Sequence, residues 1–302
     1  MGRVRSVARL LRHCRPVGTP LDELVALLDL ERLEVDIFRG RSPETSFQRV
    51  FGGQVAGQAL VAAGRTVPPD RPVNSLHAYF LRPGDPSVPI VYTVDRLRDG
   101  RSFTTRRVVA IQHGAAIFNL TASFMQAARG VEHQDAMPEV PDPETLTNVE
   151  EQLAEVPDVV AILRQHQAID LRYVSVPPAL ALAAEPPARP SHTAVWMRAD
   201  GELPDDPLLH VCLLTYASDL TLIDSIMLRH GLSWQTGTVS GASLDHAMWF
   251  HRPFRADRWL LYSQHSPVAS GQRGLASGQV FTRGGELVVT VVQEGLLRIR
   301  TQ

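Results

Sequence analysis

Three polar residues stand in apolar surroundings in the C-terminal third of the chain. Asp219 lies in "LLTYASDLTLI", a helical pattern that is apolar on nearly every side and has no basic residue within one turn. Gln293 interrupts the apolar face of the strand "ELVVTVVQEG", and Ser243 opens another strand. Because a buried carboxylate or amide needs hydrogen-bond partners, we expect the three side chains to meet around a water molecule. An acid beside a hydroxyl and an amide can deprotonate a positioned water. The alternative is that Asp219 faces solvent at a helix bend.

An internal repeat supplies the elements that must position these residues. A helix predicted over Phe51–Val67 is followed by four strands, and a second helix over 205–231 is again followed by strands. The segments "SLHAYFLRP" and "SLDHAMWFHRP" are the same element with small insertions, and each half finishes with a glycine-turn hairpin. A helix followed by antiparallel strands is an α+β pattern. Two copies in one chain predict a double hotdog, with each central helix wrapped by an antiparallel sheet.

The polar residues occur in only one copy of the repeat. The first central helix contains no Asp or Glu, whereas the second contains Asp219. Aligning the two terminal hairpins on their glycines places Gln293 opposite Ala122. Ser243 begins the strand whose counterpart starts near Ser75. Duplication followed by loss of the acid and the amide therefore predicts one active site per chain, in the second half.

Changes of composition predict four segments along the chain. We expect residues 1–18, which contain five arginines and no acid, to form a basic tail, although the segment also has the character of a transit peptide. Residues 19–130 should form the N-terminal hotdog. Residues 131–190 are rich in proline around one helical patch and are predicted to form a linker. Residues 191–302 should form the C-terminal hotdog with the active site.

The overall composition excludes several classes of function. All 30 basic residues are arginine, so a Walker A loop, a Schiff-base lysine and a Ser-Lys hydrolase are excluded. A net charge of −2 does not indicate a surface for binding nucleic acid. The two cysteines lie far apart in the sequence, which is typical of a protein from a reducing compartment. No apolar run is long enough to span a membrane. We therefore expect a soluble, cytoplasmic protein that binds neither nucleic acid nor membrane.

No residue pattern predicts a metal site, a cofactor or a nucleophile. His246 and His251 lie five residues apart on a strand and so face opposite sides, and neither HExxH nor GxSxG occurs. Cys212 sits in an apolar helix and is expected in the core.

Seven ordered motifs resemble those of the type II acyl-CoA thioesterase family. They are "FGGQVAGQAL", "SLHAYFLRPGD", "LRDGRSFTTRRV", "GELPDDP", "YASDL", "SLDHAMWFHRPF" and "VQEGLLR", and the likeness covers about residues 20 to 300. The resemblance implies a double hotdog that hydrolyses acyl-CoA thioesters without a cofactor. The family's catalytic Asp, Thr and Gln match Asp219, Ser243 and Gln293. Serine departs from the usual threonine but still provides a hydroxyl.

The resemblance also indicates where acyl-CoA would bind. Gly52, Gly53 and Gln54 of the first motif are candidate substrate-binding residues. Candidate partners for the CoA phosphates, each with an equally open role at the surface or sheet edge, are Arg82, Arg101 and Arg106.

Three alternatives remain open at this stage. Asp245 lies two residues from Ser243, should share its strand face, and is the rival catalytic acid. The rival functions are a hotdog enoyl-CoA hydratase, for which Asp245 and His246 offer an acid and a base, and a non-catalytic acyl-CoA binder.

The last strand is apolar on both faces, with Val288 and Val292 opposite the inward stripe, which favours a homo-oligomer.

Overall fold

The structure is a computed structural model that describes residues 18–43, 49–154, 160, 167–174, 177, 180, 192–232 and 239–299. The predicted basic tail lies outside the described residues up to position 17. The helices are α1 (Pro20–Leu28), α2 (Gly52–Gly64), α3 (Val149–Gln152), α4 (Pro207–Ser218) and α5 (Asp224–His230), with a 3-10 turn at Pro143–Thr145. Within the described segments no helix has the length and apolar character needed to cross a membrane.

The strands form one continuous antiparallel sheet. They are β1 (Glu31–Glu34), β2 (Ile37–Gly40), β3 (Val73–Phe80), β4 (Ile90–Asp99), β5 (Phe103–Gln112), β6 (Ala115–Met125), β7 (Ile169–Tyr173), β8 (His192–Ala199), β9 (Val239–Ser243), β10 (Asp245–Phe250), β11 (Leu260–Ser270), β12 (Arg273–Thr282) and β13 (Leu287–Ile299). Their order is β1-β2-β4-β5-β6-β3-β10-β13-β12-β11-β8-β7, with β9 beside β13. Six strands from each half therefore run outward from the β3–β10 junction in mirrored order. This is the α+β double hotdog arrangement that the repeat predicted.

The two central helices pack directly against each other. A Cβ atom on Gly53 would collide with the Tyr216 carbonyl oxygen, one on Gly57 would lie 3.1 Å from the Cys212 carbonyl oxygen, and one on Gly64 would collide with Leu208. These contacts run in opposite directions along the two helices, so α2 and α4 are antiparallel. Absence of side chains at the glycines lets the backbones approach, and the N-terminus of α2 meets the C-terminus of α4.

The second central helix differs from the sequence prediction. Its predicted start is confirmed, because Asp206 caps α4 through the N–H groups of Leu208 and Leu209. Its predicted stop is also confirmed, with Gly231 in the left-handed conformation at φ 66°. The single helix over 205–231 is wrong, however, because turns at residues 219–223 divide it into α4 and α5. Asp219 is the residue at which α4 ends.

Part of the predicted linker packs on the outer face of the C-terminal half. Met137, Val140 and Leu146 cover a cluster built around Trp196 and Trp259. The indole nitrogens of these tryptophans donate to the Pro141 carbonyl and the Glu144 carboxylate at 3.0 and 2.8 Å. Further along, residues 169–173 form β7 and extend the sheet. The stretch 131–190 thus contributes packing and a strand, and its boundaries stay a prediction.

The close approach of the helices predicts that Gly53→Ala is more harmful than Gly57→Ala. Alanine favours a helix over glycine by about 1 kcal/mol, which can offset the tight 3.1 Å contact at Gly57. At Gly53 the clash is with backbone of α4, which cannot rotate away. We expect Gly53→Ala to lower the free energy of unfolding by about 2–3 kcal/mol in denaturant titrations, and Gly57→Ala to change it by less than about 1 kcal/mol. Equal effects of the two substitutions would contradict this packing.

Candidate active site

A β-bulge turns Ser243 toward the last strand. Ala247 pairs with Val292, whereas Ser243 pairs with Gly295, so four steps along β9–β10 match three along β13. The extra residue lies around Leu244, where β9 ends and β10 begins. Gly295 and Gln293 are two residues apart on β13 and share a face, and Ser243 opposite Gly295 therefore lies on the face of Gln293.

Gln293 joins the other two predicted catalytic residues. It is completely buried on β13, and its Nε2 donates to Asp219 Oδ1 at 2.6 Å and to Ser243 Oγ at 2.9 Å. The two amide hydrogens are thus both used, one on the acid and one on the hydroxyl. The structure brings Asp219, Ser243 and Gln293 together as predicted, and their catalytic roles stay a proposal.

Asp219 lies between the ends of the two central helices. It terminates α4, and its carboxylate accepts a hydrogen bond from the backbone N–H of Gly53 in the first turn of α2. The first-turn N–H groups of a helix have no intrahelical acceptor, and Phe51, the N-cap of α2, supplies no side-chain cap. An acid from the other half of the chain therefore provides the negative charge that this helix end favours.

Burial raises the pKa of Asp219 to about 6, although hydrogen bonds from Gln293, Gly53 and Ser243 act to lower it. At neutral pH the carboxylate is ionised, but it holds a proton far more readily than an exposed aspartate does. A base with a pKa close to the working pH is well matched to accepting a proton from water and passing it on.

Asp245 does not join this group. The bulge places it beside β13 at Glu294, whose backbone N–H donates to Asp245 Oδ1 at 2.8 Å. Burial raises the pKa of Asp245, opposed by that hydrogen bond. The expectation that Asp245 shares the face of Ser243 is wrong, because the extra residue at the bulge breaks the two-residue alternation between them.

The predicted glycines lie against Asp219. A Cβ on Gly52 would come within 2.7 Å of Asp219 Oδ2 and would also meet the Phe80 ring. Gly53 gives its N–H to the same carboxylate. These two residues therefore contact the acid itself, and a side chain at position 52 would not fit between Oδ2 and the Phe80 ring.

Gln54 and Arg82 are occupied by structural hydrogen bonds. Gln54 is buried, and its Nε2 donates to the Arg41 carbonyl and to Ser42 Oγ, both at 3.1 Å. Arg82 Nη1 donates to the Ala116 carbonyl at 2.6 Å, a contact that Arg252 repeats on the Leu287 carbonyl at the equivalent place in the second half. The repeated contact ties each "RP" segment to the start of the last strand of its half, β6 or β13, and gives Arg82 a role in the fold.

Arg106 is buried, which argues against its candidate role in binding the CoA phosphates. Only 1% of its surface is exposed, and its guanidinium donates to Thr66, to backbone carbonyls and to Asp99. It lies beyond the C-terminus of α2, about one helix length of roughly 20 Å from Asp219. Arg101 is exposed on the turn between β4 and β5 and stays a candidate for phosphate binding.

One polar residue was not predicted to lie beside the three catalytic candidates. His246 is 1% exposed on β10, and its Nε2 lies 2.9 Å from Ser218 Oγ at the end of α4. On a regular strand it would face away from Ser243, and the bulge reverses this. A comparison of the two repeats could have singled out this histidine, because aligning the two "RP" segments places His246 opposite the apolar Leu76.

In the part of the chain that the structure describes, the groups needed for a metal site, a reactive thiol or a hydratase are not brought together near Asp219. Among the described residues, no three His, Cys, Asp or Glu side chains come together as ligands for a metal ion. Cys212 is completely buried in α4, and burial raises the pKa of its thiol well above the usual value. Asp245 and His246, the pair considered for a hydratase, bond to Glu294 and to Ser218 respectively and do not act on a common point.

Two family models match the chain. The model for acyl-CoA thioesterase covers residues 164–296, and the model for the acyl-CoA thioesterase N-terminal domain covers residues 41–125. Together they span both halves of the repeat, and the first includes all three residues of the hydrogen-bonded group.

Known proteins are similar over nearly the whole chain. Human acyl-coenzyme A thioesterase 8 is 40% identical over 96% of this chain and 94% of its own length. The acyl-CoA thioesterase II TesB2 of Mycobacterium marinum is 50% identical, with a TM-score of 0.77 over 92% of this chain and 99% of that chain. A protein with the hot dog fold from Alicyclobacillus acidocaldarius, 20% identical, covers 94% of this chain and 100% of its own with a TM-score of 0.75, which supports the fold alone. The predicted family and enzyme class are thereby confirmed: the chain belongs to the acyl-CoA thioesterase family.

Proposed function

We propose that Asp219, Ser243 and Gln293 hydrolyse an acyl-CoA thioester by activating a water molecule. The observation that carries the proposal is the bonding of a buried amide to both the acid and the hydroxyl, at 2.6 and 2.9 Å. Such an arrangement fixes the direction of the carboxylate and the hydroxyl before substrate arrives, so little reorganisation is needed during the reaction.

The reacting water lies beside Asp219 Oδ2 in this proposal. Oδ1 is taken by Gln293, and Asp219 is only partly buried, so the proposal places the water at Oδ2. Ser243 Oγ accepts from Gln293 and donates its hydrogen to Asp219, and its second lone pair can accept a hydrogen bond from the water. The water is thus held by the carboxylate and the hydroxyl together.

The steps follow from these positions. Asp219 takes a proton from the water as its oxygen attacks the thioester carbonyl, and the negative charge moves to the carbonyl oxygen. The N-terminus of α2 favours negative charge at this place. The tetrahedral intermediate then collapses and the C–S bond breaks. CoA leaves as a thiolate, whose conjugate acid has a pKa of about 8.5, and the proton on Asp219 returns to the thiolate or to solvent.

The proposal extends to the substrate, the assembly and the location of the protein. Acyl-CoA is the substrate, with Arg101 the remaining candidate for its phosphates. A homo-oligomer and a cytoplasmic location stay predictions. Val288 is completely buried within a single chain, so the apolar character of both faces of β13 does not require a second copy at that position.

Substitution of the three residues tests the proposal. We expect Asp219→Asn and Gln293→Ala to lower kcat by about 100- to 1,000-fold, while Ser243→Thr stays within a few-fold of wild type because threonine keeps the hydroxyl. Release of CoA thiol from hexanoyl-CoA and palmitoyl-CoA is the measurement. Asp245→Asn is the matched control and should retain activity. Loss of activity in that control, with Asp219→Asn active, would move the base to Asp245.

The pKa of about 6 for Asp219 predicts the pH dependence of the reaction. Only the ionised carboxylate accepts a proton, so kcat/KM should rise tenfold per pH unit below about pH 6 and level off above about pH 7. Loss of the thioester absorbance follows the reaction without a pH-sensitive thiol reagent. A profile that is flat between pH 5 and 8 would exclude Asp219 as the base.

The same shift predicts that Asp219 reduces stability at neutral pH. Its folded-state pKa of about 6 lies above the value of 3.8 for an unperturbed aspartate. The folded protein therefore binds the proton more tightly, and stability declines as pH rises from about 4 through about 6. Asp219→Asn should remove this effect. We expect its advantage in the free energy of unfolding to be larger at pH 7.5 than at pH 4.5, by on the order of 1–2 kcal/mol, in urea titrations. A constant difference across this range would show that ionisation of Asp219 is not penalised by burial.

A further inference from the structure

His246 lies directly behind the amide of Gln293. The pairing of Ala247 with Val292 and of Met248 with Val291 continues by one step to His246 and Gln293. Directly opposed residues on antiparallel strands have Cβ atoms roughly 5 Å apart and face the same side of the sheet. Both side chains are buried, at 1% and 0% exposure. They therefore form a cross-strand polar pair inside the protein.

The remaining hydrogen-bonding atoms of the pair complement each other. His246 Nε2 is engaged with Ser218 Oγ, and Gln293 Nε2 is engaged with Asp219 and Ser243. The atoms left over are His246 Nδ1 and Gln293 Oε1, both buried and both without a partner within strict distance and angle limits for a hydrogen bond. Burial lowers the pKa of His246 to about 4, and a hydrogen bond with Gln293 partly opposes this, so the two side chains interact and the imidazole is neutral.

The donor and acceptor roles of the neighbouring groups indicate the direction of the hydrogen bond between His246 and Gln293. Asp219 is an acceptor at neutral pH, so the amide nitrogen of Gln293 must face it and the amide oxygen must face His246. That oxygen needs a donor, which a neutral imidazole provides only when Nδ1 carries the hydrogen. Nε2 is then an acceptor for the Ser218 hydroxyl, whose hydrogen turns to His246 at 2.9 Å rather than to the Thr215 carbonyl at 3.0 Å. The reversed amide would place its oxygen against the carboxylate and is unfavourable.

We propose that His246 is a positioning residue for Gln293: its Nδ1–H donates to Gln293 Oε1 and holds the amide nitrogen toward Asp219 and Ser243. The chain of donors runs from Ser218 through His246 and Gln293 to Asp219. His246 does not reach the substrate space, because Gln293 lies between. This inference rests on the proposed role of Gln293 in orienting the catalytic acid and hydroxyl.

In the first half of the chain, the equivalent pair of residues is apolar. Leu76 pairs with Ala122 between β3 and β6, at the place of His246 and Gln293 in the second half. Both are completely buried. Leucine opposite alanine therefore fills this position in the same fold. The polar pair is present only in the half that contains Asp219. In the other half both of its residues are replaced by apolar ones.

This comparison supplies matched variants for the test. His246→Leu removes the donor, His246→Asn keeps an N–H donor at the position of Nδ1, and Gln293→Ala removes the amide. The double variant His246→Leu/Gln293→Ala reproduces the Leu76/Ala122 pair. Turnover of hexanoyl-CoA by the full chain gives kcat and KM, and thermal unfolding reports the fold.

If His246 acts through Gln293, His246→Leu lowers kcat by about 10- to 100-fold with little change in KM, and His246→Asn recovers most of the loss. In the Gln293→Ala background His246→Leu has no further effect on kcat, and the double variant unfolds at a temperature no lower than either single variant, since no buried polar atom is left unpaired. Unchanged kcat in His246→Leu, or losses that multiply in the double variant, would overturn the inference. Full activity in Gln293→Ala would instead overturn the proposed function.

Nuclear magnetic resonance of wild-type protein with ¹⁵N-labelled histidine gives an answer that does not depend on the variants folding. The His246 resonance, identified by its absence in His246→Asn or the double variant, should show Nδ1 protonated and Nε2 unprotonated near pH 7. Protonation at Nε2 would overturn the inference, because Nδ1 would then have no hydrogen to donate to Gln293.

Discussion

The contact between the Asp219 carboxylate and the first turn of α2 is the constraint on which the site depends. The carboxylate terminates α4, where its own helix dipole disfavours negative charge, and lies at the N-terminus of α2, where the dipole and an N–H group favour it. The two halves must therefore be docked for the acid to be held and ionised. The N-terminal half has none of the three polar residues, yet it contributes the helix end that makes the acid usable.

Close packing of the helices is what brings those two ends together. Gly53 and Gly57 allow the backbone of α2 to lie against carbonyl groups of α4, and Gly52 packs against Asp219 Oδ2 and Phe80. A side chain at Gly53 would separate the helices, and one at Gly52 would displace the acid. The small-residue composition of α2 thus serves the fold and the chemistry at once, and it explains why this buried helix consists of glycine and alanine at positions where a core would otherwise use larger side chains.

The sequence predicted the repeat, the central helices and the polar trio, because an isolated acid or amide in an apolar pattern is a strong signal. It did not predict the break in the helix at Asp219, since "DLTLID" contains neither glycine nor proline and the break depends on tertiary contacts. The bulge at Leu244 has no local signal either, and it reversed the expected faces of Asp245 and His246. Arg106 was misjudged because an arginine in a sequence does not reveal burial, whereas here Thr66 and Asp99 satisfy its guanidinium.

The ends of the two central helices also explain why only one of the two possible sites has an acid. The antiparallel pair has a second meeting point, where the C-terminus of α2 approaches the N-terminus of α4 near Leu208. The residue that ends α2 is Arg65, and α4 is capped there by its own Asp206. An arginine at a helix C-terminus is favoured by the dipole, and Arg65 is further bound to Asp29 and the Leu30 carbonyl. Asp219 occupies the corresponding end of α4, where a cation would be favoured. The charge at the end of α2 is therefore favoured by the dipole and the charge at the end of α4 is not, and it is burial that keeps the Asp219 carboxylate basic enough to take a proton from water.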